Sequence, residues 1–117
     1  MNLEVNQLDD GIKQIKLSGR LDVKGTNEIE NSFASHVTSG ATCILIDMSE
    51  VEFLASTGMR LLLFNAKVLA KKKKKMVLFN PQPLIREALI IVGFDELIPI
   101  YDDFEEACAA LKAGASE

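Results

Sequence analysis

The chain has 117 residues, 48% of them hydrophobic and 26% charged, which suits one globular domain with one core and leaves no room for a second. A formal net charge of -4 and a pI near 5.0 count against nucleic acid as the main partner, because that would call for a basic surface. No apolar run approaches the ~18 residues of a membrane-crossing helix, and Met1-Asn2-Leu3-Glu4-Val5 lacks the charged and apolar regions of a signal peptide, so a soluble cytoplasmic protein is expected.

Leu3 and Val5 alternate with polar neighbours, and Asp10-Gly11 separates them from Ile12-Lys13-Gln14-Ile15-Lys16-Leu17. This pattern predicts two antiparallel strands joined by a tight turn at the edge of a sheet. Ile12 is out of phase with Ile15 and Leu17, which leaves a bulge or a late strand start open. Gly19-Arg20-Leu21-Asp22 then leaves the sheet. Thr26 or Asn27 can cap a helix whose Ile29, Phe33 and Val37 recur at helical spacing and which ends near Gly40. His36, the single histidine, falls at the margin of that apolar stripe and reads as a partly covered surface residue.

Cys43-Ile44-Leu45-Ile46 is a continuous apolar run, the pattern of a central strand covered on both faces, and Asp47 ends it. A short loop then leads to an apolar helix from Gly58 to about Ala70. On spacing alone Ser56 serves as its N-cap, accepting from the free N–H groups of the first turn. The same position tolerates added negative charge, so a phosphate on Ser56 is compatible with the helix. Met59, Leu62, Leu63, Ala66, Leu69 and Ala70 form one stripe, expected to face the sheet. Thr57, Leu61, Phe64 and Val68 form another, which either packs on a neighbouring helix or docks a partner.

The lysine run 71–75 follows; it suits a helix C-terminus held in solvent, and contact with an acidic partner or an anionic lipid is the alternative. Met76-Val77-Leu78-Phe79 is another buried-type strand, and Asn80-Pro81-Gln82-Pro83 is a turn with Pro83 suited to the first helical position. The helix through Leu84, Ile85, Ala88, Leu89 and Val92 stops at Gly93, and Phe94 can fold back on it. Leu97-Ile98-Pro99-Ile100-Tyr101 contains a proline and can only be an edge strand. Asp102 with Glu105 makes a capping box for a last helix through Phe104, Ala107, Cys108 and Leu111, and residues 112–117 read as a frayed tail. Cys43 and Cys108 form no Cys-x-x-Cys pair and are expected as buried free thiols.

Asp47-Met48-Ser49-Glu50-Val51-Glu52-Phe53-Leu54-Ala55-Ser56-Thr57-Gly58 resembles the signature of the STAS domains, in particular the bacterial anti-sigma factor antagonists. That motif runs Asp/Asn-x-Ser-x-Val-x-Phe/Tyr-x-Asp-Ser-Ser/Thr-Gly, and Gly19-Arg20-Leu21-Asp22 matches the family's Gly-x-Leu/Ile-Asp. The resemblance spans nearly the whole chain. It implies an α/β, STAS-like single domain over residues 1–117, with a mixed four- to five-stranded sheet, an antiparallel edge hairpin and about four helices. It also implies that Ser56 is a phosphoacceptor with Asp22, Ala55, Thr57, Gly58 and Arg60 around it. Two positions depart from the pattern: Ala55 replaces the usual acid, and Arg60 stands where a small residue is common.

The function implied is a phosphorylation-controlled binding switch. The unmodified protein would bind an anti-sigma factor that is also a serine-protein kinase, free a sigma factor, and be reset by a serine phosphatase. Arg20, Asp22, Ser56, Thr57, Leu61 and Phe64 are the expected partner-facing residues, and Asp22 is expected to supply the acid that Ala55 lacks. The chain itself would need no cofactor, ATP belonging to the kinase, and would be a monomer when free. The residues show no phosphate-cradling glycine loop, no zinc spacing and no nucleophile elbow, so no enzyme is expected. A STAS subunit of a signalling scaffold or lipid-transport complex without the switch stays open, as does a small hydrolase or nucleotide-binding protein.

Overall fold

The alternating stretch at residues 2–7 and the apolar runs at 43–46 and 76–79 come together in one sheet. A computed structural model of the chain describes residues 1–8, 11–39 and 43–115, with side chains through residue 112. In order, the elements are β1 (Asn2–Gln7), β2 (Ile12–Leu21), α1 (Val23–Thr38), β3 (Cys43–Leu54), α2 (Ser56–Lys71), β4 (Met76–Phe79), α3 (Pro83–Ile91), a 3-10 turn (Phe94–Glu96), β5 (Ile100–Tyr101) and α4 (Phe104–Ala115). The strands lie in the order β1-β2-β3-β4-β5, with β1 antiparallel to β2 and the other pairings parallel. This is the α/β architecture expected, at the five-strand end of the range.

The buried apolar residues of the strands divide between two layers. Ile15, Leu17, Ile44, Ile46, Met48 and Leu78 face α1, α2 and α3, whose Ile29, Phe33, Leu62, Leu69, Ile85 and Leu89 complete the larger cluster. Ile12, Cys43, Leu45 and Val77 face α4, which contributes Ala107 and Leu111. The run at 43–46 is continuous because helices cover both faces of β3. Cys43 and Cys108 are free; Cys43 is buried, and partial burial pushes the Cys108 thiol up.

The phase break at Ile12 is neither a bulge nor a late start. Ile12 begins β2 and is 1% exposed on the α4 side, so the residue out of place is its neighbour Lys13. Lys13 shares the face of Ile15 and Leu17, is 8% exposed, and donates from Nζ to His36 O at 2.8 Å, Ser39 O at 3.3 Å and Ser39 Oγ at 3.1 Å. A cation there satisfies orphan carbonyls and opposes the negative end of the α1 dipole. The irregularities of the sheet lie later, between Lys16 and Ser18 and between Gly19 and Arg20, where Gly19 has φ 110°.

Several boundaries differ from the sequence reading. β2 keeps Gly19, Arg20 and Leu21 in the sheet, and Asp22, not Thr26 or Asn27, caps α1: Gly25 N–H donates to its Oδ1 at 2.8 Å. α1 ends at Thr38, and Gly40 lies outside the described residues, as do Asp9 and Asp10 of the first turn. Asp47 does not end β3, which continues to Leu54 because β2 pairs with it as far as Leu21 opposite Leu54. Asp47 instead accepts from Ser49 N at 2.9 Å and Ser49 Oγ at 2.7 Å.

The stripe on α2 is rotated. Gly58, Leu61, Leu62, Asn65 and Leu69 are buried, whereas Ala70, placed on the sheet face by periodicity, is exposed. On α3, Ile85 and Leu89 are buried while Leu84 and Val92 face out, and Gly93 at φ 76° turns the chain so that buried Phe94 folds back. Asp103, not Asp102, caps α4, taking Glu106 N–H at 3.0 Å, while Asp102 pairs with Arg86. The segment expected to fray after Lys112 is helical to Ala115, and residues 116–117 lie outside the described residues.

Lys13→Met keeps the length and apolar stem but strips the α1 carbonyls of their donor. Unfolding in urea is expected to show a loss of about 1–3 kcal/mol with an unchanged m-value. A variant as stable as the parent would show that Lys13 contributes burial alone.

Candidate functional site

The end of β2 is wedged between two helix starts, and two glycines make this possible. A Cβ added at Gly25 would sit 2.0 Å from Arg20 O, and one at Gly58 would sit 2.6 Å from Leu21 Cγ and 2.9 Å from Leu21 O. Both are far inside contact distance, so α1 and α2 approach the strand only because these residues lack side chains. Ala55 N–H donates to Leu21 O at 3.0 Å, locking the single residue between β3 and α2.

The result for Ser56 differs from the cap predicted. Ala55 holds the N-cap position with extended backbone and gives no side-chain cap bond; Ser56 is the first helical residue, and it is exposed. Met59 N–H donates to Ala55 O at 3.1 Å, so the N–H groups of Ser56, Thr57 and Gly58 have no intrahelical acceptor. The first turn of α2 also carries no acid. The positive end of this helix is thus left open beside a free hydroxyl, a setting that favours an anion.

Around it, Arg20 lies with Nε 3.5 Å from Asp22 Oδ2 and its guanidinium 4.4 Å over the Phe53 ring. Asp22 is committed to α1: the Gly25 amide, followed by Arg20, outweighs desolvation and holds its carboxyl below the usual 3.8. Phe64 is 65% exposed, whereas Leu61 is 7% exposed, packs into the core and reaches the surface only where it lines the groove between α1 and α2. Thr57, Arg60 and Phe64 border a groove of about 530 Å³ between α1 and α2, with Thr26 and Asn27 on the other wall. Thr57 Oγ1 and Thr26 Oγ1 are both shielded from solvent and without a hydrogen-bond partner.

Of the expected residues, Arg20, Asp22, Ala55, Ser56, Thr57, Gly58 and Arg60 all belong to the β2 end or the first two turns of α2. The sequence reading missed Phe53, 41% exposed, and Val23, 59% exposed. Strict alternation after buried Val51 would turn Phe53 inward; the register shift that leaves Glu52 unpaired between Val51 and Phe53 turns it out, and nothing in the local pattern signals that shift. Among the described residues no cluster of His, Cys, Asp and Glu could hold a metal, and no helix is long and apolar enough to cross a membrane.

The STAS domain family pattern matches residues 4–107. The chain belongs to the STAS domain family. Its relatives include BtrV of Bordetella bronchiseptica, assigned to the anti-sigma factor antagonists, which is 29% identical over 112 residues covering 96% of each chain. A solved anti-sigma factor antagonist from Mycobacterium paratuberculosis superposes with a TM-score of 0.83 at 25% identity, covering 95% of this chain and 93% of that one. The anti-sigma factor antagonist SpoIIAA shares the fold in its unphosphorylated form, with a TM-score of 0.78, 21% identity and coverage of 96% and 97%. Bacillus SpoIIAA in the phosphorylated form gives 0.69, 22%, and coverage of 93% and 98%.

Gly58 in this STAS domain is expected to be intolerant of even one methyl group. Gly58→Ala should lower stability by about 1–3 kcal/mol, and Leu21→Ala in the same chain should restore part of the loss, because the two sites share one contact. Strictly additive losses in a thermal-melt double-mutant cycle would refute the contact.

Proposed function

We propose that this STAS domain is an anti-sigma factor antagonist switched by phosphorylation of Ser56. Unmodified, it binds an anti-sigma factor that is also a serine kinase, and so frees a sigma factor; phosphorylated, it lets that partner go, and a serine phosphatase resets it. The observation that carries the reading is the exposed Ser56 hydroxyl on the uncapped first turn of α2. Family membership and the names of the relatives support the class of function, and the existence of SpoIIAA in both forms supports a modification-dependent one.

The partner-facing surface is Arg20, Ser56 and Phe64, extended by Phe53 and Val23, with Leu61 contributing only where it lines the groove. Thr57 shapes the groove, and Asp22 positions Arg20 and the start of α1 in place of acting as a free acid. A phosphoserine adds ~1.5 to 2 negative charges at neutral pH, more than a single neighbouring arginine offsets, and the remainder must be desolvated in a close-packed interface. A loss of a few kcal/mol lowers affinity more than a hundredfold. The chain works as a free monomer in the cytoplasm and performs no catalysis; ATP enters only through the kinase.

Capture of the anti-sigma factor by wild type and by Ser56→Ala, with a loss of more than about a hundredfold for Ser56→Asp, is the expected result. Fragment mass analysis after treatment with kinase and ATP should place the phosphate on Ser56, since Thr57 Oγ1 is shielded from solvent. Equal capture by Ser56→Asp and wild type would leave a constitutive interaction module, without a switch.

Arg60 completes the reading. It is exposed, lies four residues after Ser56 on the same helix, and takes part in none of the three ion pairs among the described residues. Residues four apart are neighbours, so its guanidinium can reach a phosphate on Ser56 through charge-assisted, bidentate bonds. Phosphorylated Arg60→Ala is expected to melt lower and lose phosphate faster than phosphorylated wild type. Equal melting temperatures and equal phosphatase rates would assign Arg60 to the surface alone.

A further inference from the structure

The end of the molecule opposite Ser56 carries a cluster that the switch does not use. α2 runs back from the C-terminal end of β3 to the edge where β4 begins, and there it delivers Lys71, Lys72, Lys73, Lys74 and Lys75. Four of them are exposed and Lys74 is half-buried. The segment is an ordered turn. Lys73 N–H donates to Ala70 O and Lys74 N–H to Leu69 O, each at 3.0 Å, the bond pair of a Schellman end, and Lys75 O takes Ile44 N–H at 2.9 Å. Lys73 stands at φ 61°, a left-handed position where glycine is the ordinary residue.

A helix C-terminus accounts for one or two lysines, and Lys72 has a further structural use in donating from Nζ to Thr38 O at 3.0 Å. No ion pair among the described residues engages any of the five. Lys74 and Lys75 also share the rim of a shallow depression with Ala70, Met76, Leu97 and Pro99, and Leu97 keeps 62% of its surface exposed.

We propose that this pole binds an anionic lipid surface, the ammonium groups lying on headgroup phosphates and Leu97 at the acyl boundary. Charge and shape favour a membrane over a polyanion such as RNA. The run carries +5 in a chain of net -4, leaving -9 on the rest. A flat surface touches the pole alone, and over a Debye length of about 8 Å it is screened from most of that negative charge, whereas a wrapping polymer meets it. Among the described residues, topology brings Asp95 and Glu96 to the same pole, where two carboxylates against five ammonium groups leave a cationic excess. A protruding leucine has a use at an acyl boundary and none against a phosphate backbone. The proposal is independent of the Ser56 switch, because it leaves the other end of α2 open to solvent.

The test is co-sedimentation of the whole chain with phosphatidylcholine vesicles, with and without phosphatidylglycerol. Binding is expected only with the anionic lipid and is expected to weaken as salt is added. Replacing Lys73, Lys74 and Lys75 together by glutamine should lower the partition coefficient on the order of a hundredfold, at about fivefold per lysine. Leu97→Ser should lower it independently, and unchanged melting temperatures would show that both variants remain folded; the single reversals Lys73→Glu and Lys75→Glu repeat the test with smaller perturbation. Equal partition onto both vesicle types, partition onto neither, or partition that survives the lysine substitutions would overturn the proposal. Tighter binding to polyuridylate RNA than to the anionic vesicles would overturn it in favour of nucleic acid.

Discussion

The contact on which the site depends is that of two glycines on one strand end. Gly25 and Gly58 bring the starts of α1 and α2 against Arg20 and Leu21, close enough that a methyl group on either would overlap the strand. Three consequences follow from this packing. Ala55 alone connects β3 to α2, because Leu21 O takes its N–H. Asp22 falls where its carboxylate caps α1. Arg20 is held between that carboxylate and the Phe53 ring. Side chains two strands and two helices apart in sequence are thereby fixed around one exposed hydroxyl.

Ala55 gives that hydroxyl its character. An acid or hydroxyl at the N-cap would satisfy the first-turn N–H groups and quiet the dipole, at a typical gain of ~1 kcal/mol. Alanine forgoes that stabilisation and leaves the helix start as an unmet anion site. The departure from the family pattern at Ala55 and the one at Arg60 act in the same direction, since both increase the positive potential at Ser56.

The succession of strands and helices, the edge hairpin and the proline-limited last strand were legible because each rests on a local pattern: alternation, apolar run length, or the missing N–H of Pro99. The motif singled out Ser56, Arg20 and Asp22, which lie at the start of α2, the end of β2 and the N-cap of α1. What failed were positions decided by a partner element. Lys13 broke the strand pattern because the C-terminus of α1 needed a donor. The reach of β3 beyond Asp47 depends on β2 lying beside it, and Ser56 moved from cap to helix because Leu21 O claimed the amide of Ala55. Periodicity put Leu61 and Phe64 on one stripe, but only the approach of α1 decides that Leu61 is covered and Phe64 is not.

The two ends of α2 then divide the molecule. Fifteen rises of 1.5 Å set Ser56 about 22 Å from Lys71. That is roughly three Debye lengths at physiological ionic strength, so a phosphate at one end exerts little direct force on lysines at the other. Any coupling between a charge at Ser56 and the lysine pole would therefore have to pass through the packing of α2, whose Leu62 and Leu69 are fully enclosed. A helix of this length separates its ends electrostatically: a charge placed on Ser56 would leave the potential at the lysine pole nearly unchanged.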